Sequence, residues 1–132
     1  MTISLTILGN PVGKQRAHVC KSGHAYTPAK TVNYEALVKQ TFAAKYPNIM
    51  PMSGPARITL SIFIMPSKET QRKSKKGAKL YPTIKPDASN VLKIIEDALN
   101  GLAYVDDKQI VWVEVVKAYS EKPRVEVIVA EL

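Results

Sequence analysis

The segment that most constrains the fold of this chain runs from Ala88 to Asn100. At about 100° per residue its side chains separate into an apolar arc and a polar arc, which predicts a helix that packs on a core with one face. Asp87 suits the N-cap position, and Gly101 suits the position just beyond the last turn. The apolar arc holds Ala88, Val91, Leu92, Ile94, Ile95, Ala98 and Leu99, and the polar arc holds Ser89, Asn90, Lys93, Glu96, Asp97 and Asn100. The rest of the chain must therefore supply a layer that covers the apolar face.

Alternating apolar and polar residues predict strands in other parts of the chain. The alternation occurs at Ile3, Leu5 and Ile7 and again from Ile58 to Ile64. The remaining predicted elements are a loop or short hairpin over 13–26, a helix over about 30–45, a mobile lysine-rich loop over 67–82, and a terminal hairpin of strands 110–116 and 125–130. The predicted fold class is α/β (mixed α+β), a single domain over residues 1–132 with a mixed β-sheet and two main helices.

Length and composition exclude several classes of protein. The chain has 132 residues, of which 45% are hydrophobic and 23% charged, as in ordinary folded domains. It has no apolar run near the roughly 18 residues of a membrane span, and its first residues lack the basic region of a signal peptide, so a cytoplasmic protein without a membrane partner is expected. One cysteine, Cys20, with only His18 and His24 to assist it, makes a poor zinc site.

The charges are divided unevenly along the chain. Residues 1–86 contain 14 Lys or Arg and 2 acidic residues, whereas residues 87–132 contain 5 basic and 9 acidic residues. A strongly basic surface attracts a polyanion, most commonly nucleic acid, through its phosphates, and a merely solubilising surface is the alternative interpretation. The candidate DNA-binding residues are Lys14, Arg16, Lys68, Arg72, Lys73, Lys75, Lys76, Lys79 and Lys85.

Three aspartates flank the helix predicted after Asp87. Asp87 precedes it, and Asp106 and Asp107 follow it, so a short return of the chain can bring their carboxylates together. Mg²⁺ prefers oxygen ligands and is commonly bound by one or two carboxylates together with waters and phosphate oxygens. Lys93 lies on the polar face, one turn after Ser89, where an ammonium group can contact a phosphate. The structural alternatives are an N-cap at Asp87, a turn at Asp106 and Asp107, and an exposed ion pair between Lys93 and Asp97.

Two segments resemble one known family. The run from Ile84 to Lys117, IKPDASNVLKIIEDALNGLAYVDDKQIVWVEVVK, resembles the signature of the RusA-type Holliday-junction resolvases. That signature has KPD, one residue, DN, two residues and K, then DALNG, and then DDxQI before a strand that ends in lysine. The early GNPVGKQR, Gly9 to Arg16, is similar to the basic amino-terminal motif of the same family.

The resemblance implies a homodimeric, Mg²⁺-dependent endodeoxyribonuclease of bacterial or prophage origin, with Mn²⁺ as a substitute metal and no organic cofactor. Such an enzyme binds branched DNA, the four-way junction, and resolves it by paired symmetric nicks in recombination and repair. Carried over by motif, the catalytic residues are Asp87, Lys93 and Asp107, and the metal ligands are Asp87, Asp107, Asp106 and Ser89. Asn90 matches the asparagine of DN.

Ser89 departs from the family pattern, which has the aspartate of DN at this position. A hydroxyl is a neutral and weaker ligand for Mg²⁺ than a carboxylate. Glu96 and Asp97 lie roughly 10 to 12 Å further along the helix, too far to replace the lost ligand directly. A weakened nuclease is favoured, and a junction-binding protein without cleavage or an engineered inactive variant are the alternatives. An RNA-associated protein is a further alternative that rests on composition alone.

Overall fold

A computed structural model describes residues 1–77 and 81–132 of the chain. Its main sheet is mixed, and the strands lie side by side in the order β1-β6-β4-β5. These strands are β1 (Thr2–Leu8), β4 (Ala56–Ile64), β5 (Ile110–Tyr119) and β6 (Arg124–Glu131). Two strands of two residues each, β2 (His18–Val19) and β3 (Ala25–Tyr26), form a separate hairpin. The mixed α/β fold class is confirmed, and so is the hairpin alternative for the early basic segment.

Helices cover one face of the main sheet. Helix α1 (Ala29–Lys45) buries Thr31, Tyr34, Val38 and Phe42, which recur at helical spacing. Helix α3 (Ala88–Leu99) buries five side chains from the predicted apolar arc, and these meet the alternate buried residues of β1, β4 and β6 in one core. Both predicted helices are confirmed to within about one residue at each end. Within the described residues, we find no helix with the length and apolar content to cross a membrane.

The terminal hairpin predicted from 110–116 and 125–130 is wrong in its pairing. Strand β5 pairs in parallel with β4, whereas β6 pairs antiparallel with both β1 and β4 and therefore lies between them. Helix α3 makes the crossover from β4 to the parallel β5, as parallel neighbours require. Strand β6, with Val125, Val127 and Val129 buried, takes the central position because its apolar face there is covered by the helices.

The mobile loop predicted over 67–82 is also wrong for its first half, which forms helix α2 (Lys68–Lys75). The Ser67 hydroxyl caps this helix by accepting a hydrogen bond from the Thr70 backbone N–H at 3.1 Å, and Glu69 lies in the first turn. All residues of α2 are described, and none is buried, so its amino acids show no apolar face from which a helix could be predicted. Lys79 lies outside the described residues.

Candidate active site

Asp87 occupies the N-cap position of α3, as predicted, but its side chain does not cap the helix in the described structure. Its nearest polar partner is the Asn90 side-chain amide, whose nitrogen lies 3.5 Å from Asp87 Oδ2, at the long limit for a hydrogen bond. The carboxylate therefore keeps oxygen lone pairs for another ligand. The N-cap alternative accounts for the position of Asp87 at the start of α3. It does not explain why a carboxylate stands there, because that carboxylate makes no capping hydrogen bond.

A cleft of about 520 Å³ opens at this end of α3. Its walls come from residues 10–15, Lys30, residues 64–65, residues 85–87 and Asn90. The Asp87 carboxylate thus shares the cleft with Lys14, Lys30 and Lys85. A cleft that combines ammonium groups with one carboxylate has the charges needed to bind a phosphate together with a metal cation.

The early basic loop forms one wall because it packs directly against α3. The Lys14 backbone N–H donates to the Asn90 carbonyl at 2.8 Å. One residue earlier, a Cβ on Gly13 would lie 3.0 Å from Asn90 Cβ and 3.2 Å from Pro86 Cβ, which is closer than such atoms normally come. The glycine of GNPVGKQR is therefore explained by its close contact with the helix that carries the candidate site.

Four charged side chains form a chain of ion pairs along the polar face of α3. The Lys14 ammonium contacts Glu35 and lies 3.2 Å from Asp97 Oδ2, while the Lys93 ammonium lies 3.1 Å from Asp97 Oδ1. Partial burial alone would lower the pKa of Lys14, but the hydrogen bonds that its ammonium donates to Glu35 and Asp97 raise the pKa. The hydrogen bond with Asp97 also raises the pKa of Lys93, whose side chain is 56% exposed. Lys93 is thus a solvent-facing cation, whereas Lys14 is engaged by two carboxylates.

Asp106 and Asp107 begin a short 3₁₀ turn, Asp107–Gln109. Asp106 Oδ1 accepts a hydrogen bond from the Lys108 backbone N–H at 3.0 Å, and this bond lowers the pKa of Asp106. Gln109 accepts from the Asp106 backbone N–H at 2.8 Å and donates to the carbonyls of Met52 and Gly54. Asp106 therefore stabilises the turn that presents Asp107. The sequence does not reveal that the Gln109 side chain ties this turn to the backbone of Met52 and Gly54, although Gln109 belongs to the DDxQI motif.

Glu96 is a second residue that the sequence analysis placed outside the site. Burial and the nearby Asp107 carboxylate raise its pKa. The buried Tyr104 hydroxyl donates to the Glu96 backbone carbonyl at 2.7 Å and fixes the return of the chain after α3. The chain after α3 thus brings Asp107 close to Glu96 and Lys93 on α3. This proximity cannot be predicted from helical spacing alone.

The predicted metal ligands are of the chemical type that a hard divalent cation prefers, although Asp87 lines the cleft and Asp107 is not among its lining residues. Asp87 and Asp107 offer carboxylate oxygens, and Ser89 offers a hydroxyl, all of the oxygen type that Mg²⁺ prefers. Across residues 1–77 and 81–132 there is no cluster of three or more His, Cys, Asp or Glu that could bind a metal. With serine at position 89, waters and substrate oxygens must supply more of the coordination than in a site with three carboxylates.

The predicted DNA-binding residues lie in three places. Arg16 begins the exposed segment that leads to the β2–β3 hairpin, and Lys85 lines the cleft. Lys68, Arg72, Lys73 and Lys75 belong to α2, and Lys76 is its C-cap residue. Lys73 lies 3.5 Å from Glu69 in an exposed ion pair, which leaves it available to a phosphate.

The α/β fold and the cleft, in which one carboxylate lies among lysines, have the charges that a phosphodiester-cleaving site needs, and comparison with known proteins gives the class. The family profile for endodeoxyribonuclease RusA matches residues 9–130, and the chain belongs to this family. The chain is 36% identical to the uncharacterised protein YqaN of Bacillus subtilis (strain 168) over 140 aligned positions. This alignment covers 98% of this chain and 96% of YqaN. The chain is also 39% identical over 61 positions to the crossover junction endodeoxyribonuclease RusA of Lactococcus phage r1t, covering 46% of this chain and 47% of the phage protein.

Proposed function

We propose that this protein is a Mg²⁺-dependent endodeoxyribonuclease that binds four-way DNA junctions as a homodimer and resolves them by paired symmetric nicks. The observation that carries the proposal is the cleft in which the Asp87 carboxylate lies among Lys14, Lys30 and Lys85, within a chain of the RusA endodeoxyribonuclease family. The name of the phage relative, a crossover junction endodeoxyribonuclease, supports the choice of a branched substrate.

In the proposed mechanism, Asp87 and Asp107 hold the metal, with Ser89 as a weak additional ligand and Asp106 fixing the turn beside them. A divalent cation held by these residues would supply two things: activation of a water molecule and neutralisation of the charge that develops on the phosphodiester. Mn²⁺ is expected to substitute because it also binds oxygen ligands. The lysines of the cleft bind the backbone phosphates and orient the strand to be cut.

Lys93 acts in this mechanism as a fixed positive charge. A lysine side chain is an ammonium at neutral pH, and the hydrogen bond with Asp97 raises the pKa of Lys93 further, so this positive charge can stabilise the negative charge on the phosphate or on the leaving oxygen. A general base would need a pKa near the working pH, so proton abstraction is a poor role for this residue.

The proposed dimer is supported by the edge strand β5. Trp112, Val113 and Val116 are exposed large apolar side chains on this strand, and β4 is its partner within the described sheet. An exposed apolar edge strand is normally covered by another chain or element. A second copy would cover it and give the two active sites that symmetric nicking requires.

A second candidate function is junction binding without cleavage. Ser89 favours it, because the metal site then lacks one of the carboxylates of the family pattern. This candidate predicts salt-sensitive binding to four-way junctions and no nicks in either metal.

Cleavage of a labelled synthetic four-way junction in Mg²⁺ and in Mn²⁺ tests both candidates. The protein is compared with its Ser89→Asp and Asp87→Asn variants. We expect the original protein to make paired symmetric nicks. Asp87→Asn should abolish this cleavage, and Ser89→Asp should strengthen it. Cleavage by the Ser89→Asp variant alone would support junction binding without cleavage as the function of the original protein. If all three proteins fold but none cleaves, the assignment of these residues would be contradicted.

A further inference from the structure

A slender projection leaves the rim of the cleft and returns to it. Gln15 and Lys30 both line the cleft, and between them residues 16–27, called here the finger, carry the β2–β3 hairpin. The Gln15 backbone N–H donates to the hydroxyl of the fully buried Thr31 at 3.3 Å, which closes the base of the excursion. The finger is thus anchored beside Asp87 and extends from that point into solvent.

Burial in the hydrophobic core does not stabilise the finger. Every residue from 15 to 27 is exposed. The tip is held by local hydrogen bonds, from Cys20 N–H to the His24 carbonyl and from Gly23 N–H to the Cys20 carbonyl, both at 2.9 Å. A hairpin this small is at best marginal by itself in water. Its side chains contribute little to the buried core and are available to a partner.

The exposed side chains of the finger combine planar rings with positive charge. The rings of His18 and Tyr26 are stacked, with centroids 5.7 Å apart and an interplanar angle of 26°. Tyr26 nevertheless remains 54% exposed, so its surface can accept a further planar group. Arg16 and Lys21 supply cations, and the chain has no acidic residue before Glu35.

Aromatic faces flanked by cations are the combination that binds nucleic acid with accessible bases, since bases stack on rings and phosphates pair with Lys or Arg. A continuous duplex hides its base faces, whereas stacking is interrupted more easily where the strands exchange at a branch point. The finger is also at the rim of the cleft with the candidate catalytic aspartate, where a base close to the cut would lie.

We propose that the finger binds an unstacked DNA base next to the cleavage position, with Tyr26 and His18 as the stacking surface and Arg16 and Lys21 on the flanking phosphates. The finger would thereby contribute to the choice of branched over continuous DNA. This inference rests on the proposed function, because it takes DNA as the substrate.

Equilibrium binding of a fluorescent four-way junction, and of a duplex of equal length, tests the inference. Ca²⁺ replaces Mg²⁺ to suppress cleavage, and the variants are Tyr26→Ala, Tyr26→Phe and the matched control His24→Ala, a finger residue outside the ring pair. Loss of one stacked base weakens binding by about 5- to 100-fold. Tyr26→Ala should weaken junction binding within that range and leave duplex binding unchanged, while Tyr26→Phe and His24→Ala bind like the original protein.

Equal junction affinities for all the proteins would overturn the finger proposal while DNA binding itself stands. Equal losses on junction and duplex would overturn the stacking role as well. Absence of binding by the original protein to either DNA would instead defeat the proposed function, and this inference with it.

A cross-linking measurement on the unmodified protein covers the case in which Tyr26→Ala disturbs the hairpin. A junction with 5-bromodeoxyuridine at the branch is irradiated, and the tryptic peptides are analysed. The expected adducts lie on the peptides 17–21 or 22–30, which contain His18 and Tyr26 respectively. Adducts confined to other peptides would overturn the proposal.

Discussion

At the scale of single residues, Asp97 joins two parts of the chain that lie far apart in sequence. One carboxylate oxygen pairs with Lys14 from the early loop, and the other pairs with Lys93 from the same helix. The pKa of Lys93 therefore depends on Asp97, which is the aspartate of the DALNG motif and was not predicted to be a catalytic residue.

Replacing Asp97 tests this dependence. Asp97→Asn removes the main cause of the raised pKa of Lys93, so Lys93 should lose its proton at lower pH than in the original protein. Junction cleavage measured from neutral pH to about pH 10.5, the range in which lysine begins to titrate, should fall earlier on the alkaline side. Glu69→Gln is the matched control, since it removes the acid partner of another lysine, Lys73, on exposed α2. An unchanged alkaline limb in Asp97→Asn would contradict the role given to this pair.

Glu96 gives a prediction for stability. Burial and Asp107 raise its folded pKa above its ordinary value of about 4.5, so the folded state binds more protons than the unfolded state between those two values. The contribution of Glu96 to stability is thus fully present below about pH 4 and is lost as pH rises through the folded pKa.

Glu96→Gln removes this unfavourable charge and should raise the melting temperature at pH 7, on the order of 3 °C, with little change at pH 4. Thermal unfolding at both pH values checks the difference. Glu121→Gln, at an exposed turn, is the control and should show no such pH-dependent gain. A gain of equal size at both pH values would show that packing, and not the charge, limits stability here.

At the scale of the elements, close packing joins the early loop to α3. Gly13→Ala adds a Cβ that meets Asn90 and Pro86 at 3.0 and 3.2 Å, so the loop or the helix must shift. Overpacking of this kind costs about 1–3 kcal/mol. We expect a lower melting temperature together with weaker junction cleavage, because the same loop forms a wall of the cleft.

Gly54→Ala is the matched control for Gly13→Ala. Its added Cβ would meet only Glu131 side-chain atoms at 3.8 Å, an ordinary contact. Unfolding and cleavage assays on the two variants should therefore separate a tight contact from a general loss of glycine flexibility. Similar destabilisation by both substitutions would argue against a special contact at Gly13.

The sequence predicted those elements whose patterns are local. Helix α3 and strands β1 and β4 are marked by periodic burial, and their predicted bounds agree with the structure to within two residues. The place of β6 between β1 and β4 depends on long-range pairing, which alternation along one strand does not specify. Helix α2 has no buried face, so only its cap at Ser67 distinguished it from a loop.

For the candidate site, the family pattern supplied Asp87, Lys93 and Asp107, whose roles stay predictions. The pairing of Lys14 with Asp97 could not be predicted, because it arises only when the early loop packs on α3. The effect of Asp107 on the pKa of Glu96 could not be predicted either. The turn after α3 brings these two residues together, and helical periodicity in the sequence does not relate them.

At the scale of the whole molecule, the described residues of the predicted DNA-binding set lie in the cleft, in the finger, and in α2 or at its C-cap. Arg72 and Lys75 of exposed α2 are predicted to contact phosphates away from the cut. Each phosphate contact contributes about 0.9 to the slope of log affinity against log salt for duplex DNA. The variant Arg72→Gln with Lys75→Gln should therefore reduce the magnitude of that slope by nearly two in a salt titration of junction binding.

The control for this titration removes the same net charge elsewhere. Lys39→Gln with Lys122→Gln replaces two exposed lysines outside the predicted DNA-binding set. Its slope should remain close to that of the original protein. Equal slopes for both double variants would show that overall charge, rather than contact by α2, governs binding.

The closed base of the finger also has an evolutionary consequence. Because Gln15 and Thr31 join its two ends and residues 15–27 are exposed, changes in finger length or composition are separated from the packing of the core. Under the proposed role of the finger, substitutions that change the preferred DNA can accumulate there without first being compensated in the core. A lineage of such proteins can therefore diversify its targets by exchanging this one segment while the residues around α3 remain the same.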